Sequence, residues 1–114
     1  METWSASQVP VEMEKLLTWY AGTQKTLEDI LEFHVRFEGI HPFQDGNGRV
    51  GRLIMFKECL KHNIVPFIIT EELKMYYYRG IKNWEIEREY LRDTCLTGQD
   101  QMKATLDYFG IRYD

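Results

Sequence analysis

The chain has few cysteines, no long apolar run and no excess of positive charge. Its 114 residues include only two cysteines, Cys59 and Cys95, and neither belongs to a closely spaced pair of the kind that binds a metal ion. The sequence therefore gives no sign of a cysteine-ligated metal site. We expect two buried free thiols in a reducing compartment.

Membrane insertion and export are not indicated either. No apolar stretch approaches the roughly 18 residues that a transmembrane helix requires. The start of the chain, Met-Glu-Thr-Trp-Ser, has neither the positively charged region nor the apolar region of a secretory signal. We expect a cytoplasmic protein with no membrane partner.

The charge balance is acidic, with a net charge of −4 at pH 7 and an isoelectric point near 5.4. A general nucleic-acid binder or a protein that docks on anionic lipid presents a basic surface instead. We expect no nucleic-acid partner, and any basic patch must be local.

Repeats, low-complexity runs and linker-like segments are also lacking, so residues 1–114 are predicted to form one domain. Helical periodicity predominates and predicts an all-α fold of about six helices. The third helix is apolar nearly all round, which predicts a buried, central position. The predicted helices cover residues 10–20, 26–40, 48–62, 70–81, 86–96 and 99–109.

Several helix boundaries have explicit signals. Pro10 suits a first helical position, and Thr26 followed by Asp29 has the spacing of a capping box. Thr70 is predicted to cap the fourth helix, ahead of two glutamates of the right sign for the helix dipole. Gly98 is predicted to separate the last two helices.

Residues able to perform chemistry are concentrated in one segment, residues 41–52, which reads His-Pro-Phe-Gln-Asp-Gly-Asn-Gly-Arg-Val-Gly-Arg. The Gly-Asn-Gly turn tolerates left-handed or strained dihedrals, so its backbone N–H groups can point inward at a helix N-terminus and cradle an anion. Arg49 and Arg52 are three residues apart on the following helix and can converge on phosphate oxygens. Just before the turn, His41 can accept a proton and Asp45 can hold Mg²⁺.

Each of these residues, taken singly, also fits an ordinary corner between two helices with solvated arginines. As a set, they resemble the signature of the Fic domain family, His-x-Phe-x-(Asp/Glu)-Gly-Asn-Gly-Arg-x-x-Arg, at every fixed position. A chance match is on the order of one in ten billion per start site under uniform residue usage. The resemblance implies an all-helical fold in which the motif loop joins two central helices.

The resemblance also implies a role for each motif residue. His41 matches the general base that acts on a target hydroxyl, and Asp45 matches the ligand of a Mg²⁺ ion that bridges the ATP phosphates. Phe43 matches the residue that anchors the loop into the core. The other positions match the phosphate contacts: Gly46, Asn47 and Gly48 form the anion hole around the transferred phosphate, and Arg49 and Arg52 contact the β and γ phosphates.

Most members of this family transfer AMP from ATP to a Tyr, Thr or Ser hydroxyl of another protein and release pyrophosphate. The related Doc-type kinases carry lysine where this chain has Gly48, so the glycine favours nucleotidyl transfer over phosphoryl transfer. The motif residues contact the phosphates of the donor and do not indicate the chemical nature of the rest of the donor. Transfer of UMP, GMP or phosphocholine, and a non-catalytic nucleotide-binding or interaction module, therefore remain alternatives.

The chain departs from the family pattern in two respects. Members usually have further helices and a β-hairpin flap ahead of the first helix predicted here, whereas only nine residues precede Pro10. We therefore expect an N-terminally truncated core. No inhibitory Ser/Thr-x-x-x-Glu-Gly/Asn pattern occurs, so autoinhibition is expected from a missing segment or a separate antitoxin-like protein.

Two further groups of residues have a structural and a functional interpretation. His34, two helical turns before His41, is expected to be a satisfied core histidine and not a part of the site. The tyrosines at 76–78 can line an adenine pocket, but core packing is expected for at least one of them.

Overall fold

The computed structural model describes residues 4–113, and all regular secondary structure within that range is α-helical. Residues 1–3 and 114 lie outside the described range, and they include part of the N-terminal stretch considered above for an export signal. The predicted all-α fold is confirmed. The helices are α1 (Val9–Ala21), α2 (Leu27–Ile40), α3 (Asn47–Lys61), α4 (Lys74–Lys82) and α5 (Glu89–Tyr108). No helix in the described range combines the length and the apolarity that a membrane crossing requires.

The start signals of the first two helices are confirmed. Pro10 lies in the first turn of α1. At the start of α2, the Asp29 amide donates to Thr26 Oγ1 over 3.2 Å and the Thr26 amide donates to Asp29 Oδ2 over 3.1 Å. These two reciprocal bonds satisfy donors that a helix end otherwise leaves unpaired.

The predicted start of the fourth helix is wrong. The backbone forms a turn after Thr70, whose carbonyl accepts a hydrogen bond from the Leu73 amide over 3.0 Å, and α4 begins only at Lys74. Leu73 occupies the cap position and makes no side-chain capping bond there. Thr70 therefore begins a turn and does not cap the helix.

The predicted break at Gly98 is also wrong, because α5 runs without interruption from Glu89 to Tyr108. Gly98 is buried, and a side chain there would place its Cβ 3.0 Å from the Cβ of Phe67. This glycine serves close packing and does not end the helix.

The third helix was predicted to be buried all round, and this is wrong for one of its faces. Met55 and Cys59 are buried, whereas Leu53 and Leu60 are 68% and 57% exposed. An apolar composition all round a helix therefore did not translate into burial all round.

The chain divides into two compact units, one ending at Glu58 and one beginning at Cys59. In the first unit, α1 packs against α2. The ring of Tyr20 lies 4.9 Å from that of Phe33, which stacks on Phe37 at 6.2 Å between centroids. The Tyr20 hydroxyl donates a buried hydrogen bond to Glu58 Oε1 over 2.7 Å. An aromatic core with one satisfied polar contact therefore supports the segment that precedes the motif.

In the second unit, α4 packs against α5. Gly80 allows a close contact with α5, because an added Cβ would lie 2.7 Å from Leu91 Cα. Tyr77 is fully buried, which confirms the prediction that at least one of the three tyrosines belongs to the core. Cys59 and Cys95 are free and buried as predicted, and burial raises the pKa of the Cys95 thiol well above its usual range.

Candidate functional site

The motif loop joins α2 to α3, as expected, and the side chain of Asn47 closes it. Asn47 Oδ1 accepts a hydrogen bond from the Phe43 amide, and Asn47 Nδ2 donates one to the Phe43 carbonyl, both over 2.8 Å. Asn47 is only 3% exposed. Its carboxamide therefore acts on the loop backbone, which leaves its backbone N–H as the group able to meet an anion.

The anchoring role expected of Phe43 differs from what is observed. The Phe43 ring is 50% exposed, with its centroid 6.5 Å from that of Phe37. The loop is held by the two bonds from Asn47 to the Phe43 backbone, and burial of the Phe43 ring contributes less than expected.

His41 ends α2 in a left-handed conformation, with φ 55° and ψ 61°. Its amide donates to the Phe37 carbonyl over 3.2 Å, which is the usual bond of a left-handed helix cap. Glycine is the common residue at such a position, and a residue with a Cβ costs roughly 1 kcal/mol there. The His41 side chain is exposed, so it is accessible to a hydroxyl of a second molecule.

The first residue of the Gly-Asn-Gly turn has a left-handed backbone, which glycine adopts without strain. Gly46 has φ 76°, and a Cβ added there would meet nothing within 4 Å. The Gly46 carbonyl accepts the first bond of α3, from the Val50 amide over 2.9 Å. The first turn of α3 carries no acidic side chain, so the helix N-terminus favours an anion from outside.

The two motif arginines are placed differently. A Cβ at Gly48 would lie 3.0 Å from Arg52 Nη1, so the Arg52 guanidinium folds back beside the turn. Arg49 is exposed on the first turn of the same helix. Arg52 is thus already close to the predicted anion site, whereas Arg49 points into solvent.

Asp45 is exposed and directly precedes Gly46. No group of three or more His, Cys, Asp or Glu side chains suited to a metal ion occurs in the described part of the chain. Mg²⁺ is commonly held by one or two carboxylates together with substrate phosphates and water. Asp45, a lone exposed carboxylate beside the predicted anion-binding turn, is the one ligand that the protein would supply to such an ion.

His34 is a core histidine, as predicted. It is 1% exposed, and burial lowers its pKa from 6.5 to about 4, although a hydrogen bond with the Gly51 backbone partly opposes that shift. The ring is therefore neutral at pH 7 and makes no contribution as a cation.

Sequence reasoning missed two residues, Glu38 just before the motif and Gly51 at one of its variable positions. A Cβ at Gly51 would lie 2.6 Å from Glu38 Oε1, so the carboxylate occupies the space that the glycine leaves. Burial raises the pKa of the Glu38 carboxyl, and the nearby charges of Arg52 and then His41 act to lower it. The sequence offers only one signal for Glu38, namely its position three residues before His41, one helical turn away. Gly51 has no signal, because it occupies a variable position of the signature.

Comparisons with known proteins agree with the signature. The model of the Fic/DOC family matches residues 1–59. The chain is similar to a probable protein adenylyltransferase of Aquifex aeolicus, with 42% identity over 50 residues, which is 41% of this chain and 15% of that protein. It is also similar to the protein adenylyltransferases Fic of Drosophila mojavensis and Drosophila melanogaster. Each of these is 39% identical over 49 residues, or 43% of this chain and 10% of the fly protein. The matched segment therefore spans well under a quarter of each relative.

Proposed function

This chain belongs to the Fic/DOC family, and from that premise we propose that it transfers AMP from ATP to a hydroxyl group of a target protein. The observation that carries the proposal is the closed motif loop. It places an exposed histidine at the end of α2 and an anion-suited turn, with Arg52 beside it, at the start of α3. The names of the similar proteins, protein adenylyltransferases, support the same reaction.

The turn is proposed to hold the α-phosphate. The backbone N–H groups of residues 46–48 lie at the N-terminal end of α3, where the helix dipole adds to their attraction for negative charge. Arg49 and Arg52 are proposed to contact the β and γ phosphates through their guanidinium N–H groups. The chain is acidic overall, so the positive charge that would attract an anion is confined to the neighbourhood of this turn.

Asp45 is proposed to hold Mg²⁺ together with the nucleotide phosphates. When bound, the ion neutralises charge on the phosphate oxygens. Asp45 adds one carboxylate on the side of the turn that faces solvent, and it comes directly before the residues proposed to bind the α-phosphate. The metal would therefore be shared between protein and substrate.

His41 is proposed to act as the general base. It accepts the proton of the target Ser, Thr or Tyr hydroxyl as that oxygen bonds to the α-phosphorus. The bond between the α-phosphorus and the bridging oxygen breaks, and pyrophosphate leaves toward the two arginines. The glycine at position 48 leaves room for the Arg52 guanidinium, whose Nη1 is only 3.0 Å from a Cβ placed there.

The test is incubation of the chain with labelled ATP, UTP or GTP, in the presence and absence of a cell lysate. We expect label from ATP on protein, lost in His41→Ala by 10²-fold or more while ATP affinity stays within a few-fold. His62→Ala is a matched control, because His62 lies outside the motif and should leave transfer unchanged. Near-normal transfer by His41→Ala would overturn the mechanism.

The choice of donor makes the same experiment informative about the alternatives. If label is transferred from UTP or GTP in preference to ATP, the transferred group is another nucleotide and not AMP. Nucleotide binding without any transfer, in native chain and variants alike, would identify a binding module and not an enzyme.

A further inference from the structure

A carboxylate lies next to the proposed phosphate-binding arginine without belonging to the motif. Glu38 is on α2, one turn before His41, and its Oε1 is in the space that the missing side chain of Gly51 leaves on α3. The neighbouring residue in sequence, Arg52, has its guanidinium folded toward Gly48. Gly48 and Gly51 are three residues apart on one face of α3, so the two charged groups lie near each other on that face, and the charge of Arg52 acts on the Glu38 carboxyl.

The position of Glu38 is costly for an acid. Its Oε1 is buried and accepts no hydrogen bond from the described residues. The nearest ring nitrogen, His34 Nε2, is 3.9 Å away and belongs to a histidine that is neutral at pH 7. A buried carboxylate oxygen without a donor is unfavourable unless a charge compensates it.

Arg52 is the compensating charge. Of the neighbouring groups that act on Glu38, Arg52 has a larger effect than His41, and a guanidinium is always charged in proteins. A guanidinium has five N–H donors in a planar fork, so one edge can face a carboxylate while another faces a phosphate. Without such a partner, the long side chain of Arg52 would sample many rotamers.

We propose that Glu38 is a positioning residue, whose carboxylate, seated against Gly51, holds the Arg52 guanidinium beside the Gly-Asn-Gly turn in the orientation that meets the leaving phosphates. The proposal rests on the proposed function for the identity of the anion. The pairing of Glu38 with Arg52 does not depend on it.

The pairing is tested first without nucleotide. Glu38→Gln keeps the shape of the side chain and removes its charge, and Arg52→Gln removes the guanidinium. Stability to denaturant is measured for the native chain, both single variants and the double variant. We expect non-additive effects, because residues that interact directly show coupling in such a cycle. Additive effects would overturn the pairing, whether or not the chain has any activity.

The positioning role is then tested with MgATP. Glu38→Gln removes a negative charge near the phosphates, and this change favours ATP binding. The same substitution loosens the Arg52 side chain, and this change disfavours ATP binding. Because the two effects oppose each other, we expect Kd for ATP within about three-fold of native. Negative charge develops on the leaving pyrophosphate in the transition state, and a correctly oriented Arg52 guanidinium stabilises that charge. We therefore expect kcat of Glu38→Gln to fall about ten-fold or more. A side chain needed only for folding would not separate kcat from Kd in this way.

The same measurements in the Arg52→Gln background complete the test. Glu38→Gln should have little further effect on kcat there, and Glu14→Gln, an exposed glutamate on α1, should have none in either background. An undiminished effect of Glu38→Gln without Arg52 would overturn the proposal, and loss of that effect only in His41→Ala would reassign Glu38 to His41. If the native chain transfers nothing, the proposed function fails. The stability cycle of Glu38→Gln and Arg52→Gln needs no activity, and its coupling then decides whether Glu38 holds Arg52.

Discussion

At the scale of single residues, His41 combines an exposed imidazole with a left-handed backbone. Glycine adopts that backbone without the penalty of a Cβ. We therefore predict that His41→Gly is more stable than His41→Ala by about 1 kcal/mol. Both variants should lose transfer equally. The measurement is denaturant unfolding of the two purified variants, and equal stabilities would show that the loop relaxes around position 41.

His34 makes stability depend on pH. Its folded pKa of about 4 lies below the ordinary 6.5, so between these values the unfolded chain binds a proton that the folded chain does not. The stability due to a neutral buried ring is complete above pH 6.5 and is lost as the pH falls toward 4, by on the order of 3 kcal/mol. The raised pKa of Glu38 acts in the opposite direction and offsets part of this loss.

The prediction is a comparison with His34→Gln, whose amide can still donate to the Gly51 backbone and does not titrate. Stability is measured by denaturant unfolding at several pH values between 7 and 4. The native chain should lose more stability than the variant over that range. Parallel curves would mean that the His34 ring accepts a proton in the folded protein as easily as in the unfolded one.

Some residues have roles that follow from their residue type and their spacing along the chain, and the sequence predicted these roles. Thr26 and Asp29 form the capping box, and His34 is buried as its apolar neighbours indicated. The contribution of Glu38 was not predictable in this way. It depends on Gly51, which is thirteen residues further along the chain and which only the folded structure brings close to the Glu38 carboxylate.

At the scale of elements, two glycines of α3 have contrasting surroundings. A Cβ at Gly51 would lie 2.6 Å from Glu38 Oε1 and 3.2 Å from atoms of both His34 and Phe37. A Cβ at Gly48 would meet only the far end of Arg52, at 3.0 Å from Nη1. Buried rings have little freedom to shift, whereas a flexible guanidinium can move.

We predict that Gly51→Ala destabilises the chain by about 1–3 kcal/mol despite the better helix propensity of alanine. Gly48→Ala should change stability by less than about 1 kcal/mol, and it should weaken ATP binding by displacing Arg52. Denaturant unfolding and calorimetric titration of both variants provide the check. The reverse order of stabilities would contradict the close approach of α2 and α3 at Gly51.

The errors in predicting the helices have a common physical origin. Gly98 has the local chemistry of a helix end, yet it lies inside α5 because Phe67 needs the space of a missing side chain. Leu53 and Leu60 have the composition of a core face, yet they are exposed. Propensity and periodicity report on neighbours along the chain, while these outcomes depend on contacts between distant segments.

At the scale of the whole molecule, the proposed site lies within one compact unit. The motif, His34 and Glu38 all belong to the unit that ends at Glu58, and the family match covers residues 1–59. A ligand that binds only the folded form of this unit stabilises it by mass action. Ligand-linked unfolding can therefore test the site without knowledge of the target protein.

We predict that MgATP at 100 times its Kd stabilises this unit by about 2.7 kcal/mol, a shift in Tm on the order of 10 °C for a chain of this size. AMP at the same free concentration should give a smaller shift, because it lacks the outer phosphates assigned to Arg49 and Arg52.

Asp45→Asn should remove the difference between ATP with and without Mg²⁺, because that carboxylate is the proposed protein ligand of the ion. Scanning calorimetry measures all three. Equal shifts by ATP with and without Mg²⁺ in the native chain would remove Asp45 from the metal site, and equal shifts by AMP and ATP would remove the arginines from the outer phosphates.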